Sequence, residues 1–132
     1  MKIAAVTEDG ATISQHFGRA PYYLVVTIEN GEIMNRELRQ KLGHAHFASK
    51  PHEAEAPGQP HGFSPAAQNR HNLMAEAIAD CGALLCRGMG MGAYESMQAL
   101  GIRPVVTDIA LIDDAVIAYT EGCIVDHVEK LH

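Results

Sequence analysis

The apolar positions of this chain come in short blocks, and their period changes along its length. Lys2–Val6 is a compact β-type run, and the polar loop Thr7–Ala20 follows it. Tyr22–Ile28 is dense in aromatic and β-branched residues, the composition of a pleated, half-buried strand. Next comes Glu29-Asn30-Gly31-Glu32. Its Asn-Gly pair tolerates the positive φ of a tight hairpin turn, so Ile33–Leu38 is predicted to return antiparallel. Ser64-Pro65 is a capping residue followed by proline at the first helical position. From there a helix is predicted to about Cys81, because Leu73, Ala77 and Cys81 recur every four residues with Met74 and Ile78 beside them. Gly82 stands where a C-terminal cap is expected. Ala83–Cys86 reads as a short buried strand. Gly92–Leu100 reads as a helix with Ala93, Met97 and Leu100 inward and Gly101 as its cap. Ile102–Thr107 reads as a strand whose Pro104 favours an edge or the strand start. Ile112–Glu121 reads as a helix with Ile112, Ala115, Val116 and Tyr119 on one face, ended by Gly122. Cys123–His132 carries no clear pattern.

The element order is therefore β-β-β-α-β-α-β-α, a hairpin leading into alternating helices and strands. It predicts an α/β fold with a mixed five-stranded sheet and helices packed on its faces. At 132 residues, with no internal repeat and no linker, the chain reads as one domain over 1–132. One segment breaks the pattern. Residues 39–63 hold Pro51, Pro57 and Pro60 and show no periodicity, and a loop this long in a compact domain is either functional or disordered.

Charge and composition narrow the function classes. The net charge of −6 argues against nucleic acid as a partner, which needs a basic face. No apolar run reaches the length of a membrane span. The first strand begins at once, without a signal-type apolar region, so a cytoplasmic location away from membranes is expected. Cys81, Cys86 and Cys123 are odd in number and form no Cys-x-x-Cys pair, which favours reduced thiols.

The densest chemistry lies in Cys86-Arg87-Gly88-Met89-Gly90-Met91-Gly92-Ala93. A strand turning through glycines into a helix N-terminus leaves backbone N–H groups free to hold an anion. Cys86, Met89 and Met91 add soft sulfur donors. Against that, a free cysteine at a strand end is commonly core, and of the two methionines one is expected inside and the other at the surface. Gly88-x-Gly90-x-x-Ala93, with Asp108 twenty residues beyond Gly88, formally matches a dinucleotide fingerprint. Such a fingerprint opens its domain, whereas this one follows the fourth strand, which leaves a small nucleotide-binding regulatory domain as an alternative. His16-Phe17-Gly18-Arg19 follows the first strand. Arg19 and Arg87 are candidates to flank one anion, with His16 as ligand or hydrogen-bond donor. The competing reading has Phe17 plugging the core and Arg19 paired with a carboxylate.

The chain has eight histidines, and His44, His46, His52, His61 and His71 cluster in and beside the irregular segment. In extended chain His44 and His46 point the same way and suit one divalent metal. A histidine-rich buffer for zinc, nickel or copper is therefore a further alternative. A ribonuclease-H-like sheet has this element order too, but a two-metal nuclease needs clustered carboxylates, and the first strand carries none. No Ser-His-Asp or Cys-His arrangement stands out, so no enzymatic activity is expected.

His16-Phe17-Gly18-Arg19-Ala20-Pro21-Tyr22-Tyr23 and Arg87-Gly88-Met89-Gly90-Met91-Gly92-Ala93, the latter followed by a helix and Gly101-Ile102, together resemble the nitrogenase iron–molybdenum cofactor biosynthesis family. That family comprises small cluster-carrier proteins and the matching domain of the cofactor-assembly enzyme. The likeness covers roughly residues 1–38 and 73–122. It implies a ribonuclease-H-like three-layer α/β/α fold without nuclease activity. It also implies reversible, non-covalent binding of an anionic metal–sulfur cluster containing molybdenum or iron; a related protein type binds a mixed molybdenum–copper sulfide cluster. On this reading His16, Phe17, Gly18, Arg19 and Arg87, Gly88, Met89, Gly90, Met91, Gly92 surround the cluster. Direct ligands come from His16, Cys86 or the histidines of the long loop. The expected partners are cluster-assembly or acceptor proteins, and the expected state is a monomer or weak homodimer. Residues 39–70 are longer and richer in histidine than the usual connection in the family, so the ligand set is the least determined feature.

Overall fold

A computed structural model of the chain describes residues 1–41 and 74–131. Five strands form one sheet: β1 (Lys2–Thr7), β2 (Tyr22–Glu29), β3 (Glu32–Gln40), β4 (Ala83–Cys86) and β5 (Arg103–Val106). Their spatial order is β3-β2-β1-β4-β5. β1 pairs antiparallel with β2 and parallel with β4, β2 pairs antiparallel with β3, and β4 pairs parallel with β5. This is the mixed sheet the pattern predicts. Asn30 and Gly31 take φ of 53° and 77°, the left-handed pair that a tight hairpin turn demands. Pro104 sits on the edge strand β5, where its missing N–H costs no ladder bond.

Two complete helices are described, α1 (Met91–Ala99) and α2 (Ile112–Thr120). The helix predicted to end near Cys81 is described only from residue 74; residues 74–76 are helical and lead into turns through Asp80. Its predicted start at Ser64-Pro65 lies outside the described residues. Gly82 is no left-handed cap: its N–H instead donates to the Lys2 carbonyl at 2.9 Å, joining the incoming chain to β1. Gly101 and Gly122 do take the left-handed conformation, at φ 78° and 74°. Leu100 is a correction to the predicted inner face of α1. The Gly101 reversal turns it outward, and the Ile102 N–H bonds back to the Met97 carbonyl at 3.0 Å, so Ile102 fills the buried position instead. The C-terminal segment forms a short 3-10 turn at Val128–Lys130.

β1 and β4 are the buried centre of the sheet, and Ile3–Val6 and Ala83–Cys86 are fully enclosed. Such continuous apolar runs mark strands covered on both faces. Ala93 and Met97 of α1, and Ile112, Ala115 and Val116 of α2, complete the core together with Met74 and Ile78. Among the described residues no helix is long and apolar enough to cross a membrane.

Candidate functional site

β1, β4 and β5 run parallel, so their carboxyl ends share one edge of the sheet. From β1 the chain returns to β2 on one side; from β4 it passes through α1 to β5 on the other. The exits of two adjacent strands thus diverge, which is where open α/β sheets form a crevice. Both motifs singled out in the sequence lie there, and they are bonded to each other. The Ser14 N–H donates to the Val6 carbonyl at 2.8 Å. The Arg87 N–H donates to the Ser14 carbonyl at 3.2 Å, and the Phe17 N–H to the Gly88 carbonyl at 3.1 Å. Gly88 is required by this contact, because a Cβ there would collide with the Gln15 carbonyl oxygen.

The β1 loop is built before it reaches that junction. Asp9 accepts from the Ala11 and Thr12 N–H groups at 2.9 and 2.8 Å and from the Thr12 hydroxyl. These bonds, the backbone ones first, hold its carboxyl well below the usual carboxylate range. Further bonds, Ile13 N–H to the Ala110 carbonyl and Ile112 N–H to the Ala11 carbonyl, tie the loop to the entry of α2. His16–Ala20 then closes as a turn, with the Arg19 and Ala20 N–H groups donating to the His16 carbonyl. Phe17 points inward and is buried, its ring centroid 6.5 Å from that of Tyr23. His16, Gly18 and Arg19 stay exposed.

Of the two glycine-turn methionines, Met89 is buried and Met91 is 46% exposed, the split the pattern predicts. Gly90 is the N-cap of α1, with no side-chain cap and no acidic residue in the first turn. The first N–H groups of this helix therefore carry uncompensated positive character. α2 differs: Asp113 and Asp114 occupy its first turn.

The cations sort clearly. Lys2 pairs with Asp80, Arg36 with Asp113, and Arg39 with Glu37 and Asp80. Arg103 lies over the Tyr119 ring. Arg19 and Arg87 have neither an anionic nor an aromatic partner among the described residues, so the carboxylate partner considered for Arg19 is not found. The carboxylate that closes the far side of α1 is already engaged: Asp126 accepts from the Tyr94 hydroxyl at 2.8 Å and from the Val106 N–H at 2.9 Å.

Cys86 does not take the place expected of a ligand. Cys86 is wholly buried and directs its thiol at the Val105 carbonyl, 3.6 Å away. Burial, helped by Asp126, pushes that thiol up to about 12, so it is neither a thiolate nor within reach of an exterior ligand. Phe17 and Met89 are enclosed as well; they anchor the two loops from beneath. His44 and His46 lie outside the described residues. Among the described residues no group of three or more His, Cys, Asp or Glu could hold a metal ion.

Lys41 carries no sequence signal, yet the structure places it at this junction. It is 3% exposed, and its Nζ lies 4.5 Å from the centre of the Phe17 ring. Burial lowers its pKa to about 8. The Asp9-x-x-Thr12 pairing, by contrast, has a turn signature readable in the sequence, an aspartate whose carboxylate meets the N–H groups two and three residues on.

The family model described as dinitrogenase iron-molybdenum cofactor matches residues 1–122. An uncharacterized protein of Methanocaldococcus jannaschii is 31% identical over 124 residues, spanning 92% of this chain and 87% of its own. The crystal structure of PH0822 superposes with a TM-score of 0.63 at 26% identity, covering 96% of both chains. The apo form of the orange protein from Desulfovibrio gigas superposes with a TM-score of 0.65 at 21% identity, over 93% of this chain and 89% of that one, a likeness of fold.

Proposed function

The chain belongs to the dinitrogenase iron-molybdenum cofactor family, and from that premise we propose that it is a non-enzymatic carrier of an anionic metal–sulfur cluster. The cargo is the iron–molybdenum cofactor, a precursor of it, or a related molybdenum-containing sulfide cluster. One observation carries the reading: among the described residues Arg19 and Arg87 have no ion-pair partner, and they stand on two mutually bonded loops beside a helix N-terminus whose first turn holds no acidic residue. Such a constellation has charge to offer an anion and no internal use for it. On the two loops that meet at this junction, the exposed His16 and Met91 are the described imidazole and soft donors once Cys86 is set aside.

In this reading Gly88–Gly92 forms the floor, the exposed His16–Arg19 turn borders it, and the two guanidinium groups offset the cluster's charge. The β3-β2-β1-β4-β5 sheet order with helices supports a ribonuclease-H-like three-layer arrangement as the scaffold. Cluster-assembly or acceptor proteins are its partners, the working state is a monomer or weak homodimer, and the setting is the cytoplasm.

Tetrathiomolybdate is a suitable probe, a molybdenum sulfide anion whose absorbance reports binding. Saturable binding is expected, weakened about tenfold or more in Arg19→Ala/Arg87→Ala. Arg36→Ala, which removes a paired surface arginine, should leave it unchanged. Equal affinity in the wild type and the double variant would overturn the assignment. Protein purified without oxygen is expected to carry molybdenum or iron with acid-labile sulfide. Zinc or nickel alone would point to the histidine-rich segment, and a melting shift with nucleotides alone would point to the glycine turn as a nucleotide site.

A further inference from the structure

Lys2, Arg36, Arg39 and Arg103 each meet a carboxylate, a carbonyl or a ring toward the outside of the fold; Lys41 has only a buried ring beside it. Its side chain is buried at the end of β3, and its backbone N–H donates to the Pro21 carbonyl at 3.0 Å. Its Nζ has no hydrogen-bond partner among the described residues. That Nζ lies over the ring of Phe17, whose own N–H is bonded to the Gly88 carbonyl. The ammonium thus sits directly beneath the junction of the two loops.

An unpartnered buried cation is costly, and a methyl-terminated chain of the same length would pack there with less penalty. The cation–π contact with Phe17 returns only part of that cost. A residue that weakens the resting fold in this way gains a rationale if something negative arrives above it.

We propose that Lys41 is the buried third cation of the anion site, a positioning residue that reaches the bound anion through the Phe17 loop and makes its affinity depend on protonation. The proposal rests on the carrier reading above and adds to it a residue and a form of regulation. Among the described residues the groups facing Lys41 are the Phe17 ring from the β1 loop and the Cys86 thiol from β4. That thiol stays neutral throughout the physiological range, with its pKa near 12. Lys41 itself, with a pKa of about 8, loses its proton just above neutrality. The sign follows. The charged form attracts the anion, so affinity is highest below pH 8 and falls as the pH rises through it. Reciprocally, a bound anion raises the Lys41 pKa.

The test is a tetrathiomolybdate titration of the full chain between pH 6.5 and 9.5, in the wild type and in Lys41→Met. The wild type should lose about tenfold in affinity across that range. Lys41→Met should bind about tenfold more weakly at pH 6.5 and show a flatter pH profile. Its melting temperature at pH 7 should equal or exceed that of the wild type, which separates loss of charge from loss of fold. If Lys41→Met binds as the wild type does at every pH, or if the pH dependence survives the substitution, the Lys41 proposal falls and the carrier reading stands. Absence of binding in the wild type at all pH values overturns both.

Discussion

Gly88 is the residue on which the two halves of the site depend. A Cβ on Gly88 would run into the Gln15 carbonyl oxygen, and the obstruction is backbone, which cannot swing aside. Gly88→Ala should therefore push the β1 loop off the glycine turn. The expected cost is about 1–3 kcal/mol of stability in urea unfolding, with loss of tetrathiomolybdate binding beyond that of either single arginine variant. Unchanged stability would mean that the loops do not meet as described. Arg19 and Arg87 act differently, since each is exposed or half-buried and has no ion pair or ring contact among the described residues. Their single alanine variants should keep the wild-type melting temperature and lose only affinity. That separation of effects follows from side-chain position: Gly88 is a packing residue, and the arginines are charge. Cys86 belongs with Gly88. Cys86→Ala should cost stability through lost packing, about 1 kcal/mol, and leave binding unchanged, in contrast with the ligand role that its place in the motif first suggested.

The element that most shapes the chemistry is α1. Its first turn has no acid, and its N-cap is glycine without a side-chain bond, so its positive end is left open. Met91→Glu puts a carboxylate on that end at an exposed position. It should stabilise the helix by about 0.3–1 kcal/mol, seen as a higher melting temperature, while weakening anion affinity. A rise in both stability and affinity would show that the helix end does not face the anion. The β1 loop is the second shaping element. Asp9 holds it through backbone N–H bonds, and its depressed pKa means that this contribution is present above the ordinary carboxylate pKa and is lost only in strong acid. Asp9→Ala should speed hydrogen exchange at Ala11 and Thr12 without altering the β2–β3 hairpin, which rests on the separate Asn30-Gly31 turn.

For the whole molecule, the pH dependence of stability separates two mechanisms. Toward acid, Arg39 holds Asp80 and Glu37 in the charged form and depresses both, most strongly through its hydrogen bonds. Their stabilising effect is full above the usual carboxylate range and declines as the pH falls below it; solvent exposure keeps it modest. Toward alkali, Lys41 acts in the opposite direction from a paired lysine. Its folded pKa of about 8 lies below the unfolded value of 10.5. The folded state is therefore penalised while the lysine is charged, and the penalty fades between those two values. Lys41→Met should exceed the wild type in stability at pH 7, with the gap narrowing from pH 8 to pH 10. Comparing the two proteins removes the contribution of the buried Cys81 thiol, which Lys41 does not influence; the Cys86 thiol, which Lys41 does influence, is pushed up to about 12 and ionises above the compared range.

Much of this molecule was legible in its sequence, because the relevant forces are local. Short β-type apolar runs, the Asn-Gly turn, Gly101 and Gly122, and Pro104 on an edge strand depend on each residue's own backbone preferences and solvation. Strand number, hairpin and mixed pairing followed from them. The two motifs that carry the family likeness were also visible as strings; that one of Met89 and Met91 lies inside was readable there, but which one was not. Other features depend on residues far apart in the chain, and only the tertiary structure decided them. Leu100 turns outward because Gly101 reverses the chain and Ile102 takes its place. Cys86 is sealed in because β4 lies between β1 and β5. Gly88 is indispensable because Gln15, seventy-three residues earlier, passes over it. Lys41 looks like any polar residue at a strand end until the fold buries its ammonium beneath Phe17. Sequence patterns record what each residue prefers near its neighbours; the charge left unpaired, and so available to a ligand, is settled when distant segments meet.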